Sequence, residues 1–130
     1  MTLKREIIAT EKAPAAIGPY SQAVQIGDLI YTAGQIPLVP ETGKLVEGGI
    51  EEQTQQVMQN LTNVLAAAGS SMSQVVKSTI FVTNLADFAT INKVYGSFFA
   101  ENPPARSTVQ VAALPLGAQI EIEMVAVKAK

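Results

Sequence analysis

The sequence predicts an α+β layer fold, a sheet of short strands with two amphipathic helices on one face. Three observations carry this expectation. Apolar residues recur at the 3.6-residue helical spacing in two stretches only, around 50–68 and 88–98. β-branched runs separated by turn residues fill most of the remainder. The two kinds of segment are interspersed with no internal repeat, low-complexity tract or linker, and 130 residues is the size of a single domain, here 1–130.

The opening "LKREIIA" reads as a short strand, and "APAAIGPY" as a Pro- and Gly-punctuated loop ending at Tyr20. In "AVQIGDLIYTAG" two β-rich runs meet at Gly27-Asp28, which places strands near 22–26 and 29–34 around a tight turn. "QIPLVPETGKLVEGG", with two prolines and three glycines, is an irregular excursion toward a helix. That helix runs from about Ile50 to Ala68. Val57, Leu61, Val64, Leu65 and Ala68 form its buried stripe, Gln53, Gln56, Asn60 and Asn63 lie off the stripe, and Gly69 is the stop signal.

"SQVVKSTIFVTNL" predicts a strand over Val75 to Thr83, with Asp87 as N-cap of a second helix. Phe88, Ile91, Val94 or Tyr95, and Phe98 are its expected core face, and "ENPP" ends it. Two strands close the chain near 105–112 and 119–128, so the element order is β, β, β, α, β, α, β, β. Helices on one face leave the other uncovered, and the outward candidates Thr79, Phe81, Val125 and Val127 are not uniformly polar. An apolar open face predicts a partner, and a homo-oligomer is expected.

Composition removes several function classes. The formal net charge is −2 with basic residues scattered, so nucleic acid is not an expected partner. The first twenty residues lack the apolar core of an export signal and no stretch approaches a membrane span, so the expected location is cytoplasmic and off the membrane. There is no cysteine and no histidine. Thiolate nucleophiles, zinc–thiolate sites and Ser-His-Asp arrangements are thereby excluded, and chemistry falls to carboxylate, Arg, Lys, Tyr, hydroxyl or backbone.

The charges in "ARSTVQVAALPLGAQIEIEM" therefore stand out. In the last strand Ile120, Ile122, Met124 and Ala126 share one face, and Gln119, Glu121, Glu123, Val125 and Val127 the other. In the strand before it, Arg106, Thr108 and Gln110 oppose Ser107, Val109 and Val111. Arg106 fits two readings at this point, a functional group or a charge that protects a sheet edge. A direct hairpin of the two strands would set Arg106 opposite Val125 and leave Glu121 roughly 13 Å away, too far to pair.

"PARSTVQVAALPLGAQIEIE", together with "APAAIGPYSQAV" and "IYTAGQIP" in the same order, resembles the RidA (YjgF) family over essentially the whole chain. The resemblance implies a fold like that of chorismate mutase: a mixed six-stranded sheet with two helices on one face, in a homotrimer around a central barrel with active sites between subunits. It removes the hairpin, because the closing strands of that fold are not neighbours. It implies hydrolysis of reactive 2-imino or enamino acids, such as 2-iminobutanoate and 2-iminopropanoate, to 2-oxo acids and ammonia, with no cofactor and no metal.

By that resemblance Arg106 binds the substrate carboxylate through its planar fork, worth about 1.5–3 kcal/mol per charge-assisted hydrogen bond. Glu121 positions or activates the water and returns a proton to the leaving nitrogen. Burial would raise its pKa and a nearby Arg106 would lower it. Tyr20 lines the pocket, and Gly34, with Ala33 before it, brings backbone close to the ligand. Ala33 stands where many relatives carry serine and Thr108 where many carry cysteine; Thr108 is expected to keep the activity with its backbone contacting substrate, and the substrate preference is left open. Glu123, Lys77 and Ser107 are read as structural. The competing functional readings are a non-catalytic sensor of 2-oxo acids or amino acids, a ribonuclease, which lacks histidine and a basic groove here, and a holdase.

Overall fold

The computed structural model describes residues 3–129. The β-rich runs form β1 (Arg5–Ile8), β2 (Ala23–Ile26), β3 (Leu29–Thr32), β4 (Val75–Val82), β5 (Ala105–Gln110) and β6 (Ile120–Val127). The two periodic stretches form α1 (Ile50–Ala67) and α2 (Phe88–Gly96), so the expected element order holds. Gly69, at φ 77°, ends α1 by letting the Ser70 N–H turn back to the Leu65 carbonyl at 2.8 Å.

All six strands make one mixed sheet in the order β1-β2-β3-β6-β4-β5. Only β4 and β5 pair in parallel, because α2 carries the chain back across the sheet between them. β6 enters between β3 and β4 and is antiparallel to both. The closing strands are thus separated by β4, and no hairpin joins them.

The core lies between the helices and one face of this sheet. Val57, Leu61, Val64 and Leu65 of α1 meet Ile30, Ile80, Ile120, Ile122, Met124 and Ala126, all essentially inaccessible to solvent. Each Val, Leu, Ile or Met side chain among them contributes about 1.5–3 kcal/mol on burial. The inward set on β6 is the one expected from its alternation.

Three local expectations are corrected. Gln53 and Asn60 are buried. The 35–49 excursion folds over α1, where Asn60 Nδ2 donates to the Leu38 carbonyl at 2.9 Å; Gln53 Oε1 accepts from the Gln119 N–H at 2.9 Å. These amides satisfy backbone groups that irregular segments leave unpaired. Asp87 sits at the start of α2 but makes no capping hydrogen bond; Asn84 instead caps the turn before it through the Ala86 N–H. Phe88 is 41% exposed and not in the core, while Val94 and Tyr95 are both buried.

The opposite sheet face has no cover from the chain's own helices. Register puts Ile26, Leu29 and Val127 in one row and Val24, Tyr31, Val125 and Lys77 in the next. Thr79 with Glu123, and Phe81 with Glu121, continue the same face. Tyr31 and Leu29 remain exposed, as does Val109 on β5. Among the described residues no helix is long and apolar enough to cross a membrane.

Candidate active site

Where β3 ends, its ladder with β6 breaks. Tyr31 pairs with Val125, but pairing resumes at Gln35 with Ile122, one residue out of step. Ala33 and Gly34 therefore bulge, and the Thr32 hydroxyl takes the Met124 N–H at 2.9 Å within the gap. The bulge leaves room for the Glu121 side chain. A Cβ on Gly34 would overlap Glu121 Oε2 and lie 2.8 Å from its Cδ. The glycine expected to admit a ligand thus first admits the carboxylate.

Glu121 opens into a cleft of 310 Å³ lined by Ile17, Tyr20, Ala33, Gly34, Ile36, Pro115 and Glu121 itself. Tyr20 is brought there by the 10–20 loop, with its hydroxyl accepting the Ile17 N–H at 3.2 Å. The loop is held by Gln22. Its buried amide accepts from the Thr10 N–H at 2.6 Å and donates to the carbonyls of Thr10 at 3.0 Å and Pro14 at 2.7 Å. Half-burial pushes the Glu121 pKa up, and the Glu123 carboxylate on the same face pushes it further. The lowering by Arg106 does not occur within the chain.

Arg106 is elsewhere. It pairs with Ser78, whose partner on β6 is the core residue Met124, so Arg106 projects to the helix face. Its guanidinium carbon lies 5.1 Å from the Tyr95 ring centroid and 5.4 Å from that of Phe88. A second cleft of 350 Å³ is formed there by Arg106 with Asn92, Tyr95, Gly96, Phe99, Pro103 and Pro104. Thr108 shares this face of β5, and both its hydroxyl oxygen and Asn92 Oδ1 are buried without a hydrogen-bond partner among the described residues. Four of the six expected site residues, Tyr20, Ala33, Gly34 and Glu121, thus share one cleft, while Arg106 and Thr108 lie across the sheet. A larger groove of 460 Å³ between β1 and the 9–22 segment is mostly apolar, with Glu11 its one charged side chain, and offers no comparable chemistry.

A family model described as endoribonuclease L-PSP matches residues 10–128. This chain belongs to the RidA family. It is 52% identical to Reactive Intermediate Deaminase A, chloroplastic, of Arabidopsis thaliana over 96% of this chain and 67% of that protein. It is 48% identical to the 2-iminobutanoate/2-iminopropanoate deaminase of Homo sapiens, over 98% of this chain and 93% of the relative. The crystal structure of E. coli TdcF with bound serine superposes with a TM-score of 0.91 at 44% identity, covering 95% of this chain and 99% of that one.

For this RidA family member the geometry assigns chemical capacities. A half-buried carboxylate whose proton is held more tightly than usual can take a proton from water and give it back. Ile17, Ile36 and Pro115, which sequence reasoning missed, wall that carboxylate with apolar surface. Phe88 and Asn92 were missed too. Their spacing with Tyr95 places all three on one stripe of α2, but which strand that stripe meets is decided by the crossover to β5. Among the described residues no cluster of acidic, histidine or cysteine side chains is arranged to hold a metal ion.

Proposed function

We propose that the protein is a cytoplasmic, cofactor-independent deaminase that hydrolyses 2-imino and enamino acids, 2-iminobutanoate and 2-iminopropanoate among them, to 2-oxo acids and ammonia. The observation that carries this reading is the half-buried Glu121 carboxylate inside the cleft that also holds Tyr20 and Gly34. Glu121 takes a proton from water as the oxygen bonds to C2 of the imine. It returns that proton to nitrogen to give the carbinolamine, then passes the hydroxyl proton to the same nitrogen as the C–N bond breaks, so that ammonia leaves and the carbonyl forms. Tyr20 binds substrate or water, and Arg106 holds the carboxylate. The names of the relatives in plant and human support the same reaction.

Arg106 and Glu121 project to opposite faces of the sheet, so the complete site is a composite of neighbouring subunits. The exposed Tyr31, Leu29 and Val109 on the uncovered face support a homotrimer assembled through it around a barrel of chorismate-mutase type. In that assembly Glu121 of one subunit meets Arg106 and Thr108 of the next.

The test generates 2-iminobutanoate in situ with an amino-acid oxidase and traps the surviving imine with semicarbazide. Wild type should suppress the trapped product, and Arg106→Ala and Glu121→Gln should not. A sensor without turnover is the second reading, favoured by the serine held in the E. coli neighbour. It predicts that neither wild type nor Glu121→Ala suppresses the product while both bind ligand. Ribonuclease activity is the third, and this chain has no histidine for it and a net charge of −2.

A further inference from the structure

Arg106 is half-buried on the helix face of β5, where a charge without compensation is costly. Among the described residues none accepts a hydrogen bond from its guanidinium. What meets it are the faces of two rings from α2: Phe88, with the guanidinium carbon 5.4 Å from its centroid, and Tyr95, at 5.1 Å. The two rings are seven residues apart, two helical turns, and so lie on one stripe of α2.

Two facts bear on this arrangement. Phe88 stays 41% exposed at the start of α2, with the Arg106 guanidinium against its ring. Tyr95 is buried, and its hydroxyl shares a 2.6 Å hydrogen bond with Ser78 Oγ, which prevents the ring from swinging away. Ser78 is the residue directly beside Arg106 in the parallel β4–β5 pair, so the strand next to the arginine's own fixes the ring.

We propose that Phe88 and Tyr95 are positioning residues that clamp the Arg106 guanidinium by its faces and leave its N–H edge free for the substrate carboxylate. Guanidinium suits this use because it is planar and weakly hydrated, whereas a lysine ammonium is neither. The clamp rests on the carboxylate-binding role proposed above for Arg106. It acts on ground state and transition state alike, since the carboxylate is spectator to the reaction, so its loss appears in KM and not in kcat.

The experiment compares wild type, Phe88→Leu, Phe88→Tyr and Arg106→Ala. Calorimetry measures the affinity for 2-oxobutanoate, the assay gives KM and kcat for 2-iminobutanoate, and NMR follows the Arg106 Nε–H resonance. Phe88→Leu should raise Kd and KM about two- to fivefold, the size of an exposed cation–π contact, with kcat and Tm unchanged. Its Nε–H signal should lose the ring-current shift, and Phe88→Tyr should restore all three readouts. Wild-type affinity or an unmoved resonance in Phe88→Leu, with binding lost in Arg106→Ala, overturns the clamp and leaves the proposed function standing. Wild-type affinity in Arg106→Ala overturns both.

Discussion

Arg106 and Glu121 lie on opposite faces of one sheet, separated by β4: Arg106 is in register with Ser78, and Glu121 with Phe81. Because strand side chains alternate, no rotamer change brings the two into one pocket of a single chain. If the site is shared between subunits, two dead variants should rescue each other. Arg106→Ala and Glu121→Gln, each inactive alone, should regain activity when dissociated and reassembled together. A random mixture restores about one quarter of the sites in a closed ring. No recovery despite mixed trimers by mass spectrometry would refute the shared site.

The acidic limb of the activity profile should report Glu121. Its carboxylate form takes the proton from water; within one subunit burial first and Glu123 second push its pKa above the ordinary carboxylate value, and Arg106 of a neighbouring subunit would pull the other way. Glu123→Gln removes the second cause, so the limb should move to lower pH. Stability carries the same sign. The native state binds this proton more tightly than the unfolded chain, so stability declines as pH rises from the ordinary carboxylate value through the raised one. Glu121→Gln should flatten that decline and melt higher than wild type at neutral pH while losing activity.

Gly34→Ala tests the close approach at the bulge. The added Cβ would lie 2.8 Å from Glu121 Cδ, so the carboxylate must move. Displacement of order an ångström costs on the order of 10²-fold in rate, and kcat should fall by about that factor. A crystal structure of the variant should show Glu121 shifted within an otherwise unchanged sheet. Unaltered kcat would separate the carboxylate's position from catalysis.

Gln22→Ala tests how the tyrosine loop is held. The buried amide ties Thr10, Ala13 and Pro14 to β2, and truncation leaves those backbone groups unsatisfied. The expected loss is about 1–3 kcal/mol by urea unfolding. Amide exchange should quicken across 10–20 before it does in β4 or β6.

The local elements were determined by the sequence itself. The spacing of Val57, Leu61, Val64 and Leu65, the Gly69 stop, the turn at Gly27-Asp28 and the alternation of Ile120, Ile122 and Met124 all arise from neighbours in the chain, within reach of pattern reasoning. Glu121, Tyr20 and Gly34 were expected as site residues through the resemblance, and the fold brings them into one cleft. Tertiary structure alone decided the rest. Burial of Gln53 and Asn60 follows from an excursion folding back over α1. The meeting of an exposed Phe88 with Arg106 follows from the crossover that sets α2 against β5. The separation of Arg106 from Glu121 follows from β6 entering between β3 and β4. Each depends on which segments meet across long stretches of chain, and side-chain periodicity says which residues share a face but not what that face will touch.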